Sequence, residues 1–305
     1  MPETEPQVYF VDGFVARRNL VGIAAYVHDQ PDVEQTFFYM YSYDDDDWGY
    51  EQIEHEIRSV SYTRQAGKWC WWLLSKRGVV VRMTADGMEE EDIDEEDTGP
   101  QTYGYLNKLR DIGGRFYACG MSRQVYKRTA QGWVHIDDTI LADKKATDFS
   151  FESIDGTSSS DIYAVGWKGE IYHYNGKKWR KLPCPTNLDL HQVRCVEPNL
   201  VYICGEKGIF MRGAGDLWEL FETEDFEEDL WGLEVFQGVP YVAYADGLMQ
   251  FDGSVLVPLK TRLKPEVEDG YRLHAADGVL WSFGQQELAW FDGSKWHRVV
   301  CPDNA

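Results

Sequence analysis

Ser158–Leu182 reads SSSDIYAVGWKGEIYHYNGKKWRKL, which divides into three short strands joined by two tight turns. Asp161–Val165 alternates apolar with polar-tolerant positions, the pattern of a half-buried strand. Gly166–Gly169 holds the first turn, and Glu170–Tyr174 is rich in β-formers. Asn175-Gly176 predicts a two-residue type I′ hairpin, because that turn needs positive φ at both central residues. Trp179 then anchors a further strand through Leu182. Three strands with one hydrophobic face are too few to stand alone. Such a unit must stack on copies of itself.

The copies are present. Phe291-Asp292-Gly293-Ser294-Lys295-Trp296 and Phe251-Asp252-Gly253-Ser254-Val255-Leu256 repeat the turn and its anchor. The strand before it recurs at Phe116–Gly120, Val201–Gly205 and Leu280–Gly284. Aligning the anchors gives Trp48, Glu90, Trp133, Trp179, Trp218, Leu256 and Trp296, at intervals of 42, 43, 46, 39, 38 and 40 residues. A period of roughly 40 with four strands per unit is a propeller signature. The expected fold is all-β: one seven-bladed propeller with four antiparallel strands per blade. The expected blades span residues 7–57, 58–99, 101–140, 148–185, 191–221, 230–260 and 270–300, with blades one and seven packing together to close the ring.

Composition narrows the function. The 305 residues include 52 acidic and 30 basic side chains, a formal net charge of −22. Nucleic acid and anionic membrane surfaces call for a basic footprint, so neither is an expected partner. A basic protein is a compatible one. MPETEPQVYF lacks the basic and apolar regions of a signal peptide, and the longest apolar run, Trp69–Leu74, is far short of a membrane span. Cys119 and Cys204 occupy the same repeat position and no CxxC pair occurs, so the six cysteines read as core residues in a reduced, cytoplasmic compartment.

The unit DIYAVGxxGxIYHYNGxxW resembles the repeat of bacterial YVTN-like and sialidase-type propellers and of photosystem II assembly-factor-like propellers. The match is strongest in blade four and poorest in blades one and two. Assembly-factor-like members are non-catalytic and bind protein clients, and the resemblance implies a basic patch near the channel. Trp-Asp strand endings, expected of WD40 repeats, are absent.

Two groups of candidate site residues follow. First strands line the channel, and Arg58, Arg110, Arg194 and Arg272 each follow an apolar residue there, with Glu152, Trp231 and Tyr9 in the corresponding place of other units. They are expected to converge near one channel mouth. The second group is acidic. Eight of the nine residues Glu89–Asp97 are carboxylates, read as loop, and Glu222–Asp229 and Glu266–Asp269 are further inter-blade connections. Connections of this kind emerge on one face, so Glu89, Glu90, Glu91, Asp92, Asp94, Glu95, Glu224, Asp225, Glu227 and Glu228 predict a negative surface that steers a basic partner.

Metal and cofactor chemistry find little support. Asp44–Asp47 fails the EF-hand pattern, with Trp48 at the fifth position and His55 at the twelfth. The seven histidines form no HxH or HxxxH pair, and no phosphate-binding glycine loop or Gly-x-Ser-x-Gly elbow occurs. No cofactor or metal is expected. The leading expectation is a non-catalytic protein binder, either a scaffold or an inhibitor of the immunity type that neutralises a basic toxin. The alternative is a sialidase-like glycoside hydrolase or an anion- or sugar-binding protein, using channel arginines with Tyr9, Tyr271 and Glu152.

Overall fold

The computed structural model describes residues 7–27, 35–65, 67–93, 98–143, 148–221, 223 and 226–305. Seven antiparallel sheets form among these residues, each of four consecutive strands ordered first to fourth. The first strands are Val8–Arg17, Ile57–Gln65, Leu106–Asp111, Phe151–Ser158, Leu190–Glu197, Leu230–Phe236 and Arg272–Ala276. Each contacts the first strands of both neighbouring blades, which makes a closed inner ring. Helix among the described residues amounts to one turn at Pro100–Tyr103 and three 3-10 turns.

The core lies between the blades. Seven hydrophobic clusters fill the seven blade junctions, each drawing side chains from two adjacent sheets. Burial from both sides explains the second strands, which are apolar runs rather than alternating ones. Ile162–Gly166 and Phe116–Gly120 are buried at every position. The half-buried reading of Asp161–Val165 is corrected accordingly.

Two further expectations change in detail. Tyr174 pairs with Trp179, so Asn175–Lys178 is a four-residue loop and not a type I′ turn. The Asn175 side-chain oxygen accepts the amides of Lys177 and Lys178, both at 3.0 Å. Only Gly176 needs positive φ, at +87°, and a Cβ there would approach Ser160 Cβ to 2.9 Å. Asp252 and Asp292 cap the equivalent loops in the same way. In blade two the anchor position is Met88, paired with Met83, and not Glu90, which pairs with Val81.

Trp179 wedges between blades three and four, packed beside Phe151 and Tyr174, and donates its indole N–H to the Ile136 carbonyl at 2.9 Å. Trp296 fills the junction of blades six and seven, while Trp133 and Trp218 are only partly buried at theirs. Blade one closes on blade seven through side-chain packing and a clasp near the chain ends. Asn304 accepts the Val8 amide at 2.9 Å and donates to the Val8 carbonyl at 3.0 Å. All six cysteines are free.

Candidate functional site

Six of the first strands carry a register step just inside their entry: between Phe10 and Asp12, Ile57 and Ser59, Leu106 and Lys108, Phe151 and Ser153, Leu190 and Gln192, and Leu230 and Gly232. The extra residues, Val11, Arg58, Asn107, Glu152, His191 and Trp231, stand at the channel mouth on the face where blades are linked. His191 stacks on Trp231 at 4.3 Å, and Trp231 lies 5.9 Å from Tyr271, which gives that mouth an aromatic arc.

Below the mouth lie two tiers. Asp12, Ser59, Lys108, Ser153, Gln192, Gly232 and Arg272 face equivalent second-strand positions. Two residues further in come Phe14, Ser61, Arg110, Asp155, Arg194, Glu234 and His274. The four sequence-aligned arginines therefore do not converge. Arg58 is at the mouth, Arg272 one tier in, and Arg110 and Arg194 in the deepest of the three. Tyr9 pairs with Tyr26, ahead of the register step, and so falls outside all three tiers. Counting from an apolar neighbour misses the register because the step adds a residue.

The deeper tiers are tied together. Asp155 accepts from Arg110 Nε at 2.9 Å, from an Arg194 Nη at 3.3 Å and from the Cys195 amide at 2.9 Å. Arg194 Nε also reaches Glu234 at 2.6 Å, and Glu234 takes the Val235 and Ala275 amides at 2.8 and 3.3 Å. Lys108 pairs with Asp12 at 3.2 Å, and Asp12 accepts the Val60 amide at 2.9 Å. His274 Nδ1 accepts the Val15 amide at 3.1 Å, and its ring packs 3.8 Å from Phe14. Polar side chains thus bolt one inner strand to the next where no backbone ladder runs. The void left among them is about 10 Å³, at the lower limit for a single water.

Burial governs the charges in this plug. It pushes the Glu234 carboxyl up to about 7, against the pull of Arg110 and two backbone amides. Burial also raises Asp155 despite Arg110, and lowers Lys108 despite Asp12. His274 is held well below its ordinary value by burial and then by Arg110 and Lys108, so it sits neutral as an acceptor. Asp12, Lys108, Asp155, Glu234 and His274 were not among the expected site residues. Their signal was a polar residue at every second position of a first strand, flanked by Leu109, Ile154, Val193, Leu233 and Leu273.

The open arginine-lined mouth expected of an anion or sugar site is not what forms. Arg110 and Arg194 are held by plug carboxylates, and Arg272 by the Trp231 carbonyl at 2.8 Å and the Tyr271 hydroxyl at 3.1 Å. Glu152 accepts from Asn107 at 3.3 Å, while Arg58 pairs with Glu56 at 2.7 Å outside the plug.

The acidic residues also land elsewhere than expected. Glu89, Glu90, Glu91 and Asp92 belong to the fourth strand of blade two, Gly87–Asp92, and not to a connecting loop. Their alternation with Met88 and Ile93 is weak, which hid the strand from periodicity. Glu91 turns inward, where Arg128 Nε binds it at 2.8 Å and the Trp133 indole at 3.3 Å. Glu89, on the same side of the strand as Glu91, binds Arg82, and Glu90 on the other side meets His55; their side chains are 73% and 59% exposed. Glu227 and Glu228 do lie in a blade link and are exposed. Asp94, Glu95, Glu224 and Asp225 lie outside the described residues. Glu266 and Asp269 fold back on the chain: Glu266 accepts the Thr261 amide at 2.8 Å, and Asp269 the amides of Gln285, Gln286 and Glu287 at 2.8, 2.6 and 3.1 Å.

The acidic surface is instead an outer edge. Blade one ends in Asp47–Ile53 and blade two in Gly87–Asp92, seven and six residues long, against three to five in the other blades. Both are edge strands with one unpaired side. Asp47 and Glu51 are exposed on the first, Asp44–Asp46 and Glu54 are exposed just before and after it, and His55 links that blade to Glu90 at 3.2 Å. Tyr50 and Met88, 61% and 48% exposed, give this charged wall an apolar component.

A closed seven-bladed ring with a filled channel and a charged outer edge defines a propeller of the protein-interaction type, and comparison with known proteins makes the class more specific. The chain is 38% identical to the immune protein Tsi7 of Pseudomonas aeruginosa over 236 residues, 74% of each chain. It belongs to the Tsi7 family. No protein-family model matches it. Among solved structures, the WD40 propeller domain of Doa1 superposes with a TM-score of 0.67 at 12% identity, covering 94% of this chain and 92% of that one. YCF48 bound to D1 peptide superposes with a TM-score of 0.62 at 14% identity, covering 99% and 94%. These likenesses concern the fold alone, and the WD40 one holds although Trp-Asp endings are missing.

Proposed function

We propose that this chain is an immunity-type protein that neutralises a toxin by binding it, with no chemistry of its own. Its kinship with the immune protein Tsi7 is the observation that carries this. The filled channel supports it, since the channel itself leaves no room for a substrate. The partner we propose is basic, and its landing surface is the acidic outer edge of blades one and two. Carboxylates in an exposed row there raise the encounter rate of a cation-rich protein, and Tyr50 and Met88 supply apolar contact once it has docked.

The test is to express the product of each adjoining gene with and without this chain, followed by titration of the purified chain with any product that is toxic alone. Restored growth and a stoichiometric complex are expected. A chain that neither restores growth nor binds that product refutes the proposal. Within a confirmed complex, Glu89→Gln/Glu90→Gln/Asp92→Asn tests the surface. Association slows while dissociation changes little if the edge steers the partner, and unchanged kinetics place the contact elsewhere.

A further inference from the structure

Between blades two and three, on the face opposite the links, lies a recess of about 820 Å³. That is within the ~300–1,000 Å³ range of small-molecule sites. Its charge runs against that of the protein. Carboxylates outnumber cations 52 to 30 in the chain, yet Lys68, Arg82, Arg115 and Arg128 line this recess against the single carboxylate of Asp111.

The site is built rather than incidental. The Arg82 and Arg128 guanidinium groups lie 5.5 and 4.9 Å from the Trp72 ring. Glu89 holds the first and Glu91 the second, from the fourth strand of blade two. Two buried polar atoms here lack a hydrogen-bond partner, a donor at Arg82 Nε and an acceptor at Asp111 Oδ1. Such pairs carry a desolvation cost unless something fills them. Lys68 and Arg115 have no ion-pair partner among the described residues.

We infer that the recess binds a small organic anion that also carries hydroxyl or amino donors, the class of sugar acids, sugar phosphates and nucleotides. The anionic group is received by Lys68, Arg115 and the Nε–H of Arg82, which has the Glu91 carboxylate at 4.0 Å but no hydrogen-bond acceptor, and a donor of the ligand satisfies Asp111. This site is separate from the plugged channel, and it adjoins the acidic edge proposed above at Glu89, which binds Arg82.

Calorimetric titration with glucose 6-phosphate, gluconate and adenosine monophosphate tests it, with glucose and inorganic phosphate as comparators. At least one of the three hydroxylated anions is expected to bind saturably, more tightly than phosphate, while glucose does not bind. Arg115→Ala and Lys68→Ala should each weaken that ligand about tenfold, the worth of one charge-assisted hydrogen bond. Asp111→Asn should weaken it while leaving phosphate unchanged, and Arg180→Ala, a surface cation elsewhere, should have no effect. Failure of all three anions to bind with Kd below about 1 mM overturns the assignment. So does binding that survives both cation replacements in protein whose thermal midpoint is unchanged.

Discussion

Replacing Asp155 with alanine removes the carboxylate that three groups share. Arg110 then loses its direct partner, whereas Arg194 keeps Glu234 at 2.6 Å and the Cys195 amide is left unbonded. Asp155 is 5% exposed and the Arg110 side chain 16%, so water does not replace the lost carboxylate freely. Breaking a buried ion pair from one side costs about 3–5 kcal/mol, because an uncompensated charge remains. That is a large fraction of typical folding stability. The double variant Asp155→Leu/Arg110→Met should recover most of the loss, since an apolar pair of similar volume is about as stable as the ion pair it replaces. Urea unfolding followed by tryptophan fluorescence measures both, read as a shift in midpoint at constant slope. A single-variant loss under ~1 kcal/mol, or a double variant no more stable than the single one, would show that the plug does not hold the ring together. If folded Asp155→Ala instead loses its partner at unchanged stability, recognition resides in the channel and not on the blade edge.

Three further outcomes are expected. Trp179→Ala should cost ~3–5 kcal/mol through the cavity it opens between blades three and four, and Trp179→Phe less, through the Ile136 carbonyl left without its indole donor; a loss below ~1 kcal/mol on Trp179→Ala would place the ring outside the core. The raised carboxyl of Glu234 means that the folded state binds a proton more tightly than the unfolded chain does. Its contribution is full below the unfolded pKa and is lost as pH rises from ~4.3 to about 7, at up to ~1.4 kcal/mol per pH unit; urea midpoints measured across that window should fall less steeply in Glu234→Gln, and identical slopes would mean Glu234 titrates normally. For the partner complex, association should slow markedly between low and physiological salt, as exposed charges are screened beyond ~8 Å; a flat salt dependence in stopped-flow mixing would exclude steering by the acidic edge.

What could be read from the chain alone was whatever is local and repeated. Strand-turn-strand units with a tryptophan anchor recur because every blade solves the same packing problem, and seven such units imply the ring. The turn residues Asn175-Gly176 and Asp292-Gly293 marked hairpins even though the loops proved to be four residues long. Charge composition pointed to a protein partner without saying where it lands.

Tertiary structure decided everything that depends on register and on neighbours. One extra residue at the entry of a first strand moves each side chain beyond it to a new depth, so Arg58, Arg110 and Arg272 look equivalent in sequence and stand in three different tiers. Glu89–Asp92 reads as an acidic loop until pairing with Val79–Arg82 makes it a strand, one side of which meets Arg128 of the next blade while the other faces solvent. Long-range pairing of this kind leaves no periodic trace, because the arginines that bind Glu91, Asp155 and Glu234 are about 40 residues away in the chain and adjacent only in the closed ring.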